Sequence, residues 1–574
     1  MAFLQLQDMS WHQGELEMQK VMHVPSNDNP TVPSLSPQLA NHLQIAPLVA
    51  IGVLKDGKPW TSVWGGESGL GKAIAQGVIG VRTAVPGCDP VVEELFQDGL
   101  VREEGQGRMV SGLTIDLEAR KRVKFFGRTI VAALKDGEAQ LVLKVEQSLG
   151  NCPKYLNKRR ITSVSPAPTL ISETLSSQAL DLINKTDLFF ITSSYNEDMD
   201  TNHRGGPPGF LRCVDSTLYW PEYSGNRLYQ TLGNLKLNPL AGISVPDFVT
   251  GDMLYMTGRA EILVGDDAKI LPKTNLAVKF VVESTRFVQQ ALPFRGAAGD
   301  PSPYNPTVRF LSTEKKQPQV QSVKQVAVLL RQEKLTPTVS RYRFILDSPA
   351  IFKPGQYVTF DFSTLLDVGY SHMREDDPRS LNDDFVRTFT VSSAPDEGNE
   401  FEITIRHVGV VTEYMSRYQG TEHEDRRRLE VGVMGFGGEF DVLQRTSMED
   451  ISFIAAGVGI TPLLSALPGL DLLRVRLLWT IKAADVWLVV DTLKSYPGLA
   501  SRTSVYVTGQ VDGQARQELS DTRTCVFERR VSAEDVTALT ATRTYICTSV
   551  PFRKVLLTWL AGHSKEILVE DFNF

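Results

Sequence analysis

Residues 451–467 read ISFIAAGVGITPLLSAL, and this stretch decides the fold of the C-terminal part of the chain. The apolar run Ile451–Gly457 is short enough to be a buried strand, Gly457-Val-Gly459 breaks it, and Thr461-Pro462 opens a helix over LLSAL. Proline is tolerated at the first helical position because the N–H it lacks has no intrahelical partner. A strand, a glycine turn and a helix start leave backbone N–H groups at the positive end of a dipole, a place for a pyrophosphate to approach. Alone, such a turn is weak evidence, since some are mere tight turns. Further strand runs follow in VRLLWTI, SVYVTG, RTYICTS and EILVE, separated by helical or loop segments. Over residues 446–574 this alternation predicts an open parallel sheet with crossover helices.

Immediately upstream, residues 319–445 carry VKQVAVLLRQ, VSRYRFILD, GQYVTFDF, RTFTVSSA and FEITIRHV, which read as an antiparallel β-barrel. Strand alternation places Arg387 and Phe389 on one face and Thr390 on the other. An arginine can fork onto a pyrophosphate while an aromatic packs against a flat ring; the plainer reading is an edge strand with a surface arginine. In RHVGVVTEYMSRY, Gly409 and Thr412 mark a helix start. Thr412 is either an ordinary N-cap or part of a helix end that holds a second phosphate.

Arg387-x-Phe389-Thr390, Gly409-x-x-Thr412 and Gly457-x-Gly459-x-Thr461-Pro462, in this order and spacing, resemble the ferredoxin–NADP reductase superfamily over about 250 residues. The hairpin expected at Gly435-Phe-Gly437-Gly438-Glu-Phe440 between the two domains and the late Glu570-Asp-Phe572 also fit. The resemblance implies FAD on the barrel, held by Arg387, Phe389 and Thr390 with its pyrophosphate near Gly409 and Thr412. It also implies NAD(P)H over the Gly457–Pro462 turn, with Thr390 and Cys547 as catalytic candidates. Two departures stand out: Cys547-Thr548-Ser549 replaces the Cys-Gly-Pro common in the family, and Ser363–Val386 inserts an acidic loop before the FAD strand, a lid or a solvated loop. Lys482 would pair with a 2′-phosphate, whereas Asp485 would suit a free ribose, so the choice of NADH or NADPH stays open with a lean to NADPH.

The N-terminal half reads as an internal repeat. LVAIGVLKDGKPWTSVWGG holds two strand runs around an Asp56-Gly57 hairpin signal, and this copy ends in RVKFFGRTIVAAL; the second copy runs from LFFITSSYNEDMD to DMLYMTGRAEIL. Both end in a β-rich run centred on Gly-Arg, at Gly127-Arg128 and Gly258-Arg259. The expected boundaries are a first copy with N-terminal extension at 1–160, a second copy at 161–292 and a proline-rich linker at 293–318. The barrel then covers 319–445 and the nucleotide-binding α/β domain 446–574. The fold class is multidomain, with tandem all-β split barrels forming a pseudo-dimer ahead of the barrel and parallel-sheet domains.

His203-Arg204-Gly205-Gly206, then Ser224-Gly225-Asn226-Arg227 and Thr231-Leu-Gly233-Asn234, look like the pyridoxamine 5′-phosphate oxidase-like, FMN-binding split-barrel family. Gly150-Asn151-Cys152-Pro153-Lys154-Tyr155 is similar to a stretch in its larger members. The resemblance implies FMN, with Arg204 and Arg227 clamping its phosphate, Asn226 and Asn234 bonding the ring edge, and His203 as a proton donor. On the plainer reading these polar residues close turns.

Composition bounds the function. With 60 basic and 67 acidic side chains the net charge is −7, which argues against general nucleic-acid binding. No run approaches the roughly 20 apolar residues of a membrane span, and no signal peptide is evident. The five cysteines (Cys88, Cys152, Cys213, Cys525, Cys547) are widely spaced, which fits neither a disulfide framework nor an iron–sulfur cluster. The eight histidines, His203, His372 and His407 among them, show no metal-ligand spacing. The expectation is a cytoplasmic NAD(P)H-dependent flavoprotein, monomer or homodimer, passing electrons to FMN or to a small acceptor such as a quinone, an enone, a nitro compound or oxygen. The competing expectations are a reductase that serves a separate haem or iron–sulfur protein, and a non-catalytic ligand- or haem-binding barrel with a regulatory reductase half.

Overall fold

The computed structural model describes residues 9–25, 28–96, 100–102, 105–150, 154–314, 325–366, 373–419, 428–446, 448–539, 541–562 and 566–570. Asn151, Cys152, Pro153, His372 and Phe572 therefore lie outside the described residues, as does part of the acidic insert. The chain forms two compact units, Met1–Lys316 with Tyr370–Asp383, and Gln317–Gly369 with Asp384–Phe574.

The first unit begins with β1 (Leu48–Lys55), β2 (Lys58–Gly65), β3 (Gly71–Ala75), β4 (Val78–Ala84), β5 (Leu100–Arg102), β6 (Met109–Asp116), β7 (Lys121–Lys135) and β8 (Glu138–Gly150). After β9 (Arg159–Ser163) and β10 (Thr169–Ser172) come β11 (Leu188–Tyr195), β12 (Asp198–Gly205), β13 (Arg212–Val214), β14 (Thr217–Pro221), β15 (Leu240–Pro246), β16 (Met253–Val264), β17 (Leu276–Gln289) and β18 (Phe294–Ala298). One sheet has the order β2-β1-β6-β7-β8-β4-β3 and the other β12-β11-β15-β16-β17-β14-β13, the same path taken twice. Asp56 and Gly57 close the β1–β2 hairpin with positive φ at both turn positions, the twist a two-residue connection requires.

The recurrent Gly-Arg pairs sit at matching β-bulges. The register slips between Phe126 and Gly127 on β7, and between Thr257 and Gly258 on β16. A Cβ at Gly127 would run into the Lys144 carbonyl, and one at Gly258 into that of Val281. Where an extra residue bends the strand onto its neighbour, only glycine fits. The two sheets meet through a buried hydroxyl cluster. Thr61 donates to the Gly242 carbonyl at 2.7 Å and shares a hydrogen bond with the Thr192 hydroxyl at 2.7 Å, and Thr201 bonds Ser111 at 2.6 Å and Thr192 at 2.9 Å.

Two expectations about connections are corrected here. Of the expected linker 293–318, the described residues 293–314 are not an extended segment that few contacts cross. β18 pairs with β9, Leu311 is buried, and Arg212 binds Glu314 at 2.5 Å. The alternating Phe294-Arg295-Gly296-Ala297 can serve as a strand because its prolines lie on either side of it. Nor is the described part of the insert before Val386 a plain solvated loop. Asn382 donates to the Tyr155 hydroxyl at 3.0 Å and accepts from the Ser224 N–H at 3.0 Å, while Arg309 donates to its carbonyl at 3.1 Å.

In the second unit β19 (Gln325–Lys334), β20 (Val339–Ile345), β21 (Tyr357–Asp361), β22 (Val386–Thr390), β23 (Glu400–Arg406) and β24 (Glu430–Gly437) form an antiparallel sheet ordered β22-β21-β24-β19-β20-β23. A bridge between Val391 and Ile403 brings its two edges together as a barrel. Gly435-Phe436-Gly437, expected in a hairpin, instead ends β24 and pairs with β21, since antiparallel partners are needed on both sides of a central strand. β25 (Ile451–Ala456), β26 (Val475–Lys482), β27 (Thr503–Thr508), β28 (Cys525–Phe527), β29 (Arg543–Cys547) and β30 (Glu566–Val569) form a fully parallel sheet ordered β28-β27-β26-β25-β29-β30. Ile451, Phe453 and Ala455 enter one apolar cluster and Ile454 another, so both faces are covered. That double burial is why the strand reads as a continuous apolar run. Among the described residues no helix is long and apolar enough to cross a membrane.

Candidate functional site

In the parallel sheet, successive connections from β25 lead outward to β26, β27 and β28 on one side, whereas β29 and β30 lie on the other. The carboxyl ends of β25 and β29 therefore flank a topological switch point, the crevice where open α/β sheets take ligands. Gly457 and Cys547 stand at those two ends. Gly457 has φ +53, and Thr461 and Pro462 open the helix Thr461–Ala466 as the sequence indicates. Gly459 has a different duty from the expected close approach of a pyrophosphate: a Cβ there would collide with the Cys547 carbonyl and lie 3.3 Å from its sulfur. The absent side chain lets the turn press against β29. Cys547 is fully buried, and its thiol is held well above its usual range, first by burial and then by the charge of Glu570. The same two causes raise Tyr357, which pairs with Thr390 across β21 and β22.

The barrel contributes Arg406, a residue no motif singled out. A Cβ at Gly457 would lie 3.1 Å from its guanidinium, and its Nε is buried with no hydrogen-bond partner. One Nη donates to Asp485 at 2.5 Å. Asp485, read from sequence as a ribose ligand, is 1% exposed and also accepts from Thr336 at 2.8 Å and Thr338 at 2.6 Å. It fastens the barrel to the parallel-sheet domain instead, because a buried carboxylate must be saturated by donors. Lys482 ends β26 and is exposed.

On the barrel, Arg387 donates to the Val386 carbonyl and lies 3.8 Å from Asp384. Phe389 is half-buried and packs on Phe360 at 6.1 Å, while Thr390 is buried. Thr412 is not an N-cap. Gly409 holds that position in helix Val410–Met415, and the Thr412 hydroxyl accepts from the N–H groups of Val408 at 2.9 Å and Gly409 at 3.1 Å. A Cβ at Gly409 or at Gly435 would meet nothing within 4 Å, so both backbones border open space.

The first unit gathers its candidates around β12 and the loop after β14. Arg204 is engaged by Glu222 at 2.6 Å, and Glu222 also accepts from Trp220 at 2.9 Å. His203 is buried against Arg122, and burial together with Arg122, Arg204 and Lys124 holds its imidazole well below its usual range, hence neutral. Lys124 forms a buried ion pair with Asp200, which Thr231 also contacts at 2.5 Å. Arg227 and Tyr229 both adopt left-handed backbone conformations, with the Asn226 side chain closing a turn on the Leu228 N–H at 3.2 Å. Such strain in non-glycine residues clusters at ligand sites. Asn234 is 1% exposed and both its amide atoms lack partners, as does the buried Tyr223 hydroxyl.

Arg122 and Lys124 escaped the sequence reading because they lie on β7, far along the chain from His203. The available signal was R-V-K, two cations alternating within an otherwise apolar strand. Among the described residues no group of three or more His, Cys, Asp or Glu side chains is placed to hold a metal ion.

No protein-family model matches the chain, and no curated protein does. Solved structures similar to it include the FAD/NAD-binding domain of a nitric oxide dioxygenase from Vibrio cholerae, at 16% identity over 43% of this chain and 97% of that one, TM-score 0.30. The cytochrome b5 reductase domain of Ulva prolifera nitrate reductase matches at 16% over 43% and 97%, TM-score 0.31. A ferredoxin NADP+ reductase from Neisseria gonorrhoeae with bound FAD and NADP matches at 15% over 43% and 98%, TM-score 0.29.

Proposed function

We propose that the chain is an NAD(P)H-dependent flavoprotein oxidoreductase, with a nicotinamide and FAD serving its second unit and FMN its first. The observation that carries this reading is the switch point of the parallel sheet. There the Gly457 turn, the partnerless Nε of Arg406 and the buried thiol of Cys547 converge beside an antiparallel barrel. A donor left without an acceptor at a glycine turn fits a phosphate group, since orphaned buried polar groups are otherwise costly. FAD, when bound, supplies two-electron acceptance from NAD(P)H. Arg387, Phe389 and Thr390 would hold it on the barrel, and the open backbone at Gly409, beside Thr412, would admit its pyrophosphate. Cys547 keeps its proton and packs, buried, beneath the turn.

The first unit fits FMN by the same test. The two partnerless amide atoms of Asn234 and the Tyr223 hydroxyl suit the polar edge of a flavin, while Arg204, Asn226 and Arg227 border the same loop. The final acceptor is a small electrophile such as a quinone, an enone, a nitro compound or oxygen.

Flavin chromatography of the purified protein, followed by anaerobic NADPH or NADH addition, tests the proposal. Prompt bleaching of FAD, with turnover of a small acceptor and no added protein, is expected. Absence of any flavin after reconstitution refutes the enzyme reading, and reduction without small-acceptor turnover favours a separate haem or iron–sulfur protein as the acceptor.

A further inference from the structure

The connection from β21 to β22 leaves the unit in which it begins. The second unit runs to Gly369, Tyr370–Asp383 belong to the first unit, and Asp384 returns the chain to the barrel. In the described part of this strap, Pro378–Asn382 forms a short 3-10 helix, with the Ser380 hydroxyl donating to the Asp377 carbonyl at 2.7 Å. Its last residue makes the attachment. The Asn382 amide accepts from the Ser224 N–H and donates to the Tyr155 hydroxyl, which itself donates to the Ser224 carbonyl at 2.7 Å. These three residues close a ring that takes up both backbone groups of Ser224. The Asn382 carbonyl accepts from Arg309, whose guanidinium lies 5.6 Å over the Tyr223 ring.

The loop gripped in this way, residues 222–229, is under backbone strain. Arg227 and Tyr229 hold φ of +59 and +60, conformations that persist in non-glycine residues only where the surroundings over-determine them. At its other end the strap is just as tightly fixed. Only Asp383 and Asp384 separate Asn382 from Phe385, three residue steps that span at most about 11 Å. Phe385 has φ +55, its ring is buried in the barrel core, and its carbonyl accepts from the Phe362 N–H at 3.0 Å. Asp384 accepts from the Val386 N–H at 3.1 Å and lies 3.8 Å from Arg387. The strand that follows, β22, is an edge of its sheet, bonded along its length to β21 alone, and four of its five residues are half-buried. It carries Arg387, Phe389 and Thr390.

We propose that Asn382 is a positioning residue through which FAD on β22 orders the 222–229 loop of the first unit. This rests on the FAD reading above and adds a coupling between that site and a loop of the other unit. A flavin laid on a half-buried edge strand restricts that strand. The short junction, strained at Phe385, passes the restriction to Asn382, and the ring of hydrogen bonds passes it to Ser224. Conformational entropy carries the coupling: a loop whose anchor is already ordered has less of its own freedom left to lose. The consequence is an order of events, in which the first unit's loop is set once the barrel is loaded with FAD.

The test is amide hydrogen exchange, read by mass spectrometry on the full chain with and without saturating FAD, for wild type, Asn382→Ala and Tyr155→Phe. Circular dichroism checks folding and FAD absorbance checks loading. In the wild type, FAD is expected to slow exchange across 222–229 about 5-fold or more, and to leave the helix Ser177–Lys185 of the same unit unchanged. In Asn382→Ala the loop exchanges faster and no longer responds to FAD, although FAD still binds; a purely structural role would raise exchange and leave the response in place. A wild-type loop indifferent to bound FAD would overturn the inference while leaving the FAD reading intact. A full response in folded Asn382→Ala would overturn the role of Asn382. Failure of FAD to bind the wild type would remove the FAD reading itself, and the inference with it. Should Asn382→Ala not fold, Tyr155→Phe, which removes only the hydroxyl from the ring, decides in its place by the same loss or persistence of the response.

Discussion

Glu15 offers a prediction with a definite sign. It lies in the helix Gln13–Val21, is 5% exposed, and accepts from the His12 N–H at 2.9 Å in a capping box. Burial, with the charges of Asp198 and Asp200, pushes its pKa from 4.5 up to about 7. A carboxyl whose folded pKa is raised favours the folded state when protonated. Its contribution is complete below about 4.5 and is lost as pH rises through about 7. At about 1.4 kcal/mol for each tenfold change in proton affinity, the loss at pH 8.5 amounts to about 3 kcal/mol. Glu15→Gln keeps the capping acceptor but cannot ionise. The variant is expected to match wild type at pH 4.5 and to exceed it by about 3 kcal/mol at pH 8.5 in urea unfolding of the first unit's transition. Equal stability of the two proteins at pH 8.5, or a gain of the same size at both pH values, would refute the reasoning.

Other consequences are as specific. Gly459→Ala drives a methyl into the Cys547 carbonyl and is expected to cost about 1–3 kcal/mol and to raise the KM for NAD(P)H, read by thermal unfolding and steady-state kinetics. Asp485→Ala leaves Thr336, Thr338 and Arg406 without their acceptor, a loss of about 1–3 kcal/mol; a double-mutant cycle with Arg406→Met should show coupling between the two sites, and additivity would contradict the fastening role. In alkylation followed by mass spectrometry, the exposed Cys88 and Cys525 should react first, with Cys547 protected until unfolding; early labelling of Cys547 would argue against a buried, protonated thiol.

Much of the fold was legible wherever local chemistry and tertiary environment agree. The strand runs from VAVLLRQ to EILVE fall on observed strands, Asp56-Gly57 turns where two left-handed residues are needed, and Thr461-Pro462 starts a helix. The readings that changed share one cause: the decisive partner lies far along the chain. Asp485 sits one turn past β26, as a ribose ligand would, yet Thr336 and Thr338 claim it. Gly459 looks like a phosphate glycine until the Cys547 carbonyl is placed against it. Asn382 belongs by sequence to an acidic insert, and only Tyr155 and Ser224 make it a packed residue.

The amino-acid sequence by itself determined the alternation of strand and helix after residue 446, the glycine turn and the recurrence of Gly-Arg in two β-rich copies. These follow from backbone conformational limits and the period of apolar residues, which act over a few positions. Tertiary structure alone decided which copies of a repeated pattern carry charge into the interface. Arg122, Lys124, Asp200 and His203 become a buried polar cluster, and Met253, Tyr255, Trp60 and Val63 become core, only when two strands from different copies are brought together. Burial is a property of that juxtaposition, and it is burial that makes a charge costly enough to need a purpose.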